Sequence, residues 1–124
     1  MIRGIEHSAI ASPDPAALAN WYVDTLGFVI NYRGTAAFFV KAPDGSMIEI
    51  IPSEGERGTG TLKTPGLRHL ALTVTDFDSV YAGLQAKGVH FVSEPLNNKG
   101  NKLVFFTDPE GNYLHLLERE TPLP

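Results

Sequence analysis

The sequence predicts an α+β fold of two pseudo-symmetric βαβββ modules, and three observations carry that prediction. The stretch His7-Ser-Ala-Ile-Ala-Ser-Pro-Asp14 lines up with His69-Leu-Ala-Leu-Thr-Val-Thr-Asp76 at an offset of 62 (69 − 7), each a strand running into a helix cap. Pro43 to Ile51, PDGSMIEII, has an echo in Asp108 to Glu118, DPEGNYLHLLE. Gly45 and Gly111 are 66 apart (111 − 45), and so are Glu49 and His115 (115 − 49). Between these landmarks each half shows one helical periodicity, then short runs rich in aromatic and β-branched residues.

Taken in order, module 1 spans residues 1–51, a linker 52–66, and module 2 67–124. Asp14 is an N-cap with Pro15 at the first helical position, where its missing N–H is no loss. The helix then places Leu18, Trp21, Tyr22, Thr25 and Leu26 on one face, and Gly27 stops it. In module 2 Phe77, Val80, Tyr81 and Leu84 repeat the helical spacing up to Gly88. The expected strands after each helix are Phe28 to Tyr32, Ala36 to Val40 and Met47 to Ile51, then Val89 to Val92, Leu103 to Phe106 and Tyr113 to Leu117. One helix over one small sheet cannot close a core alone, so two modules are expected to pack together. Pro52 to Gly66 and Ser93 to Asn101 read as surface loops and are the candidate lids.

Composition narrows the function classes. At 124 residues the chain has the length of one ordinary domain, and with no cysteine it has neither disulfides nor thiolate ligands. A net charge of −4 without a basic stripe argues against nucleic acid as a partner. No apolar run approaches the ~18 residues of a membrane helix, and the start MIRGIEHSAI lacks the apolar segment of a secretory signal. The expected location is the cytoplasm, with no membrane partner.

Strand alternation shows where the polar residues point. Glu49 shares a face with Met47 and Ile51, and His115 with Tyr113 and Leu117; Ile48, Ile50, Leu114 and Leu116 take the opposite, helix-side face. His7 shares its face with Ala9, and His69 with Ala71 and Thr73, whose small side chains leave room beside both imidazoles. His7, Glu49, His69 and His115 therefore form a candidate divalent-metal cluster, a donor set suited to Zn, Ni, Fe, Mn or Co. His90 has no counterpart in the other half and reads as surface, and Glu118 falls on the face opposite His115. Aromatic strand residues are more often core, so Phe38, Phe39, Phe105 and Phe106 are expected there, the alternative being that with Met47 and Tyr113 they line an apolar pocket.

These motifs resemble the vicinal oxygen chelate superfamily, which includes glyoxalase I, methylmalonyl-CoA epimerase, extradiol dioxygenases, fosfomycin-resistance enzymes and bleomycin-binding proteins. The resemblance covers essentially the whole chain, from the His7 strand and Leu26-Gly27-Phe28 to the PDGSMIEI and DPEGNYLHL turns. It implies paired modules forming a curved, open, barrel-like sheet around a metal-binding cup, a homodimer, and a small-molecule substrate. Carried over residue by residue, the metal positions fall on His7, Glu49, His69 and His115, where most enzymatic relatives have glutamate at the last position.

Imidazole in place of carboxylate raises the formal charge of a divalent site from about zero to about +1, strengthening its pull on a substrate oxygen. It also leaves Glu49 as the carboxylate available to move a proton, the catalytic role expected of it. The expected activity is metal-dependent lyase or isomerase chemistry on a substrate that chelates through two oxygens. The alternatives are extradiol ring cleavage, using His7, His69 and Glu49 with His115 beside them, and ligand sequestration without chemistry, as in bleomycin-binding relatives.

Overall fold

A computed structural model describes residues 1–124, which form two compact units, Met1–Arg57 and Gly58–Pro124. In unit 1, β1 (His7–Ser12) is followed by α1 (Pro15–Leu26), β2 (Val29–Arg33), β3 (Phe38–Lys41) and β4 (Met47–Pro52). The sheet order is β1-β4-β3-β2, with β1 parallel to β4 and the other pairs antiparallel. Asp14 caps α1 as expected, its side chain accepting the Ala17 N–H at 3.1 Å. Beyond the helix, Gly27 and Phe28 donate to the Val23 and Tyr22 carbonyls, closing the helix end. Leu18, Ala19 and Tyr22 of α1 are buried, as are Val40, Ile48 and Ile50 of β3 and β4.

Unit 2 repeats the plan with β5 (His69–Thr73), α2 (Phe77–Ala86), β6 (His90–Phe91), β7 (Leu96–Asn98), β8 (Asn101–Thr107) and β9 (Tyr113–Glu118). Its order is β5-β9-β8-β6, with β7 also paired to β8. Phe77 and Leu84 of α2 are buried, as are Val104, Phe106, Leu114 and Leu116 of the sheet.

Three expectations are corrected here. The segment Ser93 to Asn101 is not simply a loop: Leu96–Asn98 pairs with β8 through a two-residue turn at Lys99 (φ 54°) and Gly100 (φ 84°). Two successive positive φ values give the turn whose twist matches an antiparallel hairpin, and glycine takes the second without steric penalty. Asp76 does not cap α2 with its side chain. It is itself left-handed (φ 57°), and the Phe77 N–H is accepted instead by Glu118 Oε1 at 3.2 Å. Glu118, on the face away from His115, thus ties the end of β9 to the start of α2, where a carboxylate also favours the helix dipole. Finally, β8 runs the full length of Asn101–Thr107 rather than stopping at Phe106. No helix is long and apolar enough to cross a membrane.

Candidate metal-binding half-sites

Each unit positions its polar pair by the same two devices, a turn and a parallel strand. In unit 1 the Ala42–Ser46 turn is closed by Ala42 N–H to the Ser46 carbonyl and Gly45 N–H to the Ala42 carbonyl. In unit 2, Asp108 and Asn112 make the equivalent bond and Gly111 donates to the Asp108 carbonyl. Gly45 (φ 93°) and Gly111 (φ 87°) occupy backbone conformations that a side chain would strain.

The carboxylate that braces the turn differs between the copies. Asp108, buried in unit 2, accepts from the Glu110 and Asn112 N–H groups and from the Asn112 amide. In unit 1 the position equivalent to Asp108 is Ala42, and Asp44 accepts from the Ser46 hydroxyl and N–H instead. Those two bonds, the hydroxyl's first, lower the Asp44 pKa.

Beyond each turn, the register sets the faces. Ala9, Glu49 and Phe39 lie in one row of unit 1, next to the row of His7, Met47 and Lys41. In unit 2, Ala71, His115 and Phe105 form the equivalent row, next to His69, Tyr113 and Thr107. His7 Nε2 and Glu49 Oε1 are 3.6 Å apart, both partly exposed. His7 Nδ1 lies 3.0 Å from Glu6 Oε1, so Nδ1 donates there, and in the neutral ring this leaves the Nε2 lone pair facing the Glu49 carboxylate. Two acceptors pointed at each other call for a cation or a proton between them.

The His69 and His115 rings meet at 4.6 Å between centroids, nearly perpendicular. His115 is 7% exposed, and its Nδ1 is buried without a hydrogen-bond partner. Burial first, and then the neighbouring His69, lower its pKa, so the ring is neutral at pH 7, the form that ligates a metal. The donor chemistry of these side chains suits a divalent cation, with two candidate donors in each unit, but no group of three or more that could hold one is formed.

The depressed pKa also has a stability consequence with a definite sign. The unfolded chain takes up this proton near its ordinary value of 6.5, and the folded chain only at lower pH. Metal-free protein is accordingly expected to lose stability as the pH falls below about 6.5, and to stop losing it, on this account, once the folded-state pKa is passed. Urea midpoints measured from pH 7.5 to 5 check this, and His115→Leu is expected to flatten that part of the profile.

The structure also brings in residues that the sequence reading placed elsewhere. Phe39 and Phe105 are half-buried on the site face, not in the core. Phe39 meets the His7 ring edge-on at 5.1 Å and Phe105 meets His69 at 5.3 Å, while Phe105 stacks on His115 at 4.8 Å. Their neighbours behave differently: Phe106 is fully buried, and Phe38 carries the Arg33 guanidinium at 5.7 Å. The signal was present in the pairing of Phe39 with Glu49 and of Phe105 with His115, which alternation alone could have given once the register was known. His90 is exposed, as expected.

Known proteins resemble this chain in sequence and fold. The uncharacterized protein YwkD of Bacillus subtilis is 31% identical over 130 aligned positions, covering 96% of this chain and 99% of its own. Biphenyl-2,3-diol 1,2-dioxygenase 3 of Rhodococcus globerulus is 26% identical over 117 positions, covering 90% of this chain and 61% of its own. Among solved structures, a glyoxalase family protein from Enterococcus faecalis superimposes with a TM-score of 0.79 at 29% identity, over 94% of this chain and 98% of that one. A family model matches residues 4–116, and the chain belongs to the Glyoxalase/Bleomycin resistance protein/Dioxygenase superfamily.

Proposed function

We propose that the protein is a metal-dependent enzyme of lyase or isomerase type, acting on a small molecule that offers two adjacent oxygens to a divalent cation. The observation that carries this reading is the pair of half-sites at equivalent strand positions, each with an imidazole nitrogen unspent: His7 Nε2 beside Glu49, and the orphaned His115 Nδ1 beside His69. A homodimer is the working assembly we propose. A bound cation supplies Lewis acidity toward the substrate oxygens.

The residues of the chain do the rest. Glu49 moves a proton at the carbon beside those oxygens, Glu6 holds His7 in the tautomer that leaves Nε2 free, and Phe39 and Phe105 fix the imidazole planes. A second reading, extradiol ring cleavage, is favoured by the likeness to the biphenyl-2,3-diol dioxygenase.

Protein purified without a metal-binding tag is expected to carry roughly one divalent ion per site and to give a ligand-field spectrum with cobalt. Loaded with nickel or zinc it is expected to isomerise hemithioacetals. Oxygen uptake with catechols under Fe(II), without the isomerisation, would select the second reading. Finding neither bound metal nor a cobalt spectrum would remove both.

A further inference from the structure

The two units differ at one place where their repeat predicts likeness. In unit 1 the pairing of β2 with β3 shifts register: Val29 and Ile30 oppose Lys41 and Val40, but Phe39 is then opposed by Tyr32, leaving Asn31 as an extra residue. In the corresponding pairing of unit 2, His90 with Thr107 and Phe91 with Phe106, the register does not shift. Strict alternation would turn Tyr32 toward the helix side. The bulge instead puts it opposite Phe39, on the Glu49 face, with its ring 6.0 Å from Phe39.

Asn31 reaches the same face, because its amide Nδ2 lies 3.3 Å from Met47 Sδ and Met47 sits in the row of His7. Two consecutive side chains therefore face one way, a result that an ordinary strand does not allow and a bulge does.

Their chemistry is largely unspent. The Asn31 donor meets only a thioether, a weak acceptor. Tyr32 is 62% exposed, with its ring lying along Gly34, where a Cβ would stand 3.7 Å from it. From Tyr32 to Phe39 to His7 the rings are spaced 6.0 and 5.1 Å, a path two ring contacts long from the bulge to the metal-binding pair.

We propose that the β2 bulge builds a subsite in which Asn31 and Tyr32 receive a flat, aromatic arm of the substrate, the ring lying against Tyr32 and Phe39 with its edge beside the Asn31 amide. The proposal rests on the metal-site reading for where the chelating end of that substrate lies. Asn31 and Tyr32 set specificity; they take no part in proton transfer.

The test compares benzohydroxamate with acetohydroxamate, which share a chelating end and differ by the ring, by NMR on the isotopically labelled full chain with and without zinc. Ring-dependent shifts are expected at the Asn31 side-chain amide and the Tyr32 ring. Tyr32→Leu is expected to weaken benzohydroxamate binding about tenfold and leave acetohydroxamate unchanged. Tyr32→Phe, which keeps the ring, is expected to retain most of the affinity. The subsite is overturned by the absence of ring-dependent shifts at Asn31 and Tyr32 in both forms of the protein, or by shifts there that follow protein concentration instead of ligand, the mark of a contact between copies. If zinc moves none of the His7, His69 or His115 resonances, the metal reading fails, while ring-dependent shifts in the zinc-free protein still uphold the subsite.

Discussion

His115→Leu is expected to raise the stability of the metal-free protein and to weaken divalent-cation binding by more than a hundredfold. The two effects have one origin. His115 is almost fully buried against the Phe105 ring, with Nδ1 lacking any partner. A buried polar atom left unpaired costs about 1–3 kcal/mol, and leucine fills a similar volume without one. The loss of binding should exceed the 10–100-fold typical of losing an outer-shell partner, because the proposed donor atom itself is removed.

Urea unfolding of the metal-free variant and cobalt titration read the two effects separately. A destabilised variant would show that Nδ1 finds a partner in solution, and unchanged cobalt affinity would take His115 out of the ligand set. The complementary change, His115→Glu, replaces one proposed donor by another and is expected to keep the cation, as the same cobalt titration would show.

Phe106→Ala is expected to cost about 3–5 kcal/mol, enough to leave much of a domain of ordinary stability unfolded. Phe106 is fully buried in the helix-side layer of unit 2, with the Phe91 ring 5.7 Å away and Tyr81 next in line at 4.8 Å from Phe91. Its neighbour in sequence makes the contrast: Phe105→Ala removes a half-buried ring from the other face. It is expected to disturb the imidazoles of His69 and His115 more than the fold. Thermal unfolding of both variants distinguishes the faces, and equal losses would mean that the two phenylalanines do not divide in this way.

Much of this was readable from the chain because the repeat states it twice. The offsets of 62 and 66 aligned four polar residues before any register was known, and alternation then placed Glu49 and His115 away from the helices. Local signals held where one residue decides the geometry, as at Asp14 and Gly27. What the sequence withheld depends on partners distant along the chain. Glu118 stands 41 residues from the Phe77 N–H that it accepts (118 − 77), and no spacing rule connects them. The β2 bulge is invisible because alternation is read on the assumption that every residue has an opposite number, which Asn31 lacks. In Ser93 to Asn101, a polar hairpin at the sheet edge has the composition of a loop, so the strand within it was hidden.

The parallel pairing of β1 with β4, and of β5 with β9, also orders the assembly of each unit in time. His7 is opposite Met47, 40 residues further on (47 − 7), and His69 is opposite Tyr113, 44 further on (113 − 69). The hairpin partners Lys41 and Met47 are only six apart (47 − 41). Closing the longer loop costs more chain entropy, and a parallel pair returns slightly less per residue than an antiparallel one. The meander that carries Glu49 or His115 is therefore expected to form first, with the strand that brings His7 or His69 docking onto it afterwards; φ-values lower in β1 and β5 than in the meanders would show this order. In both units the leading histidine is therefore expected to arrive late, each half-site being completed by the final strand to join its sheet.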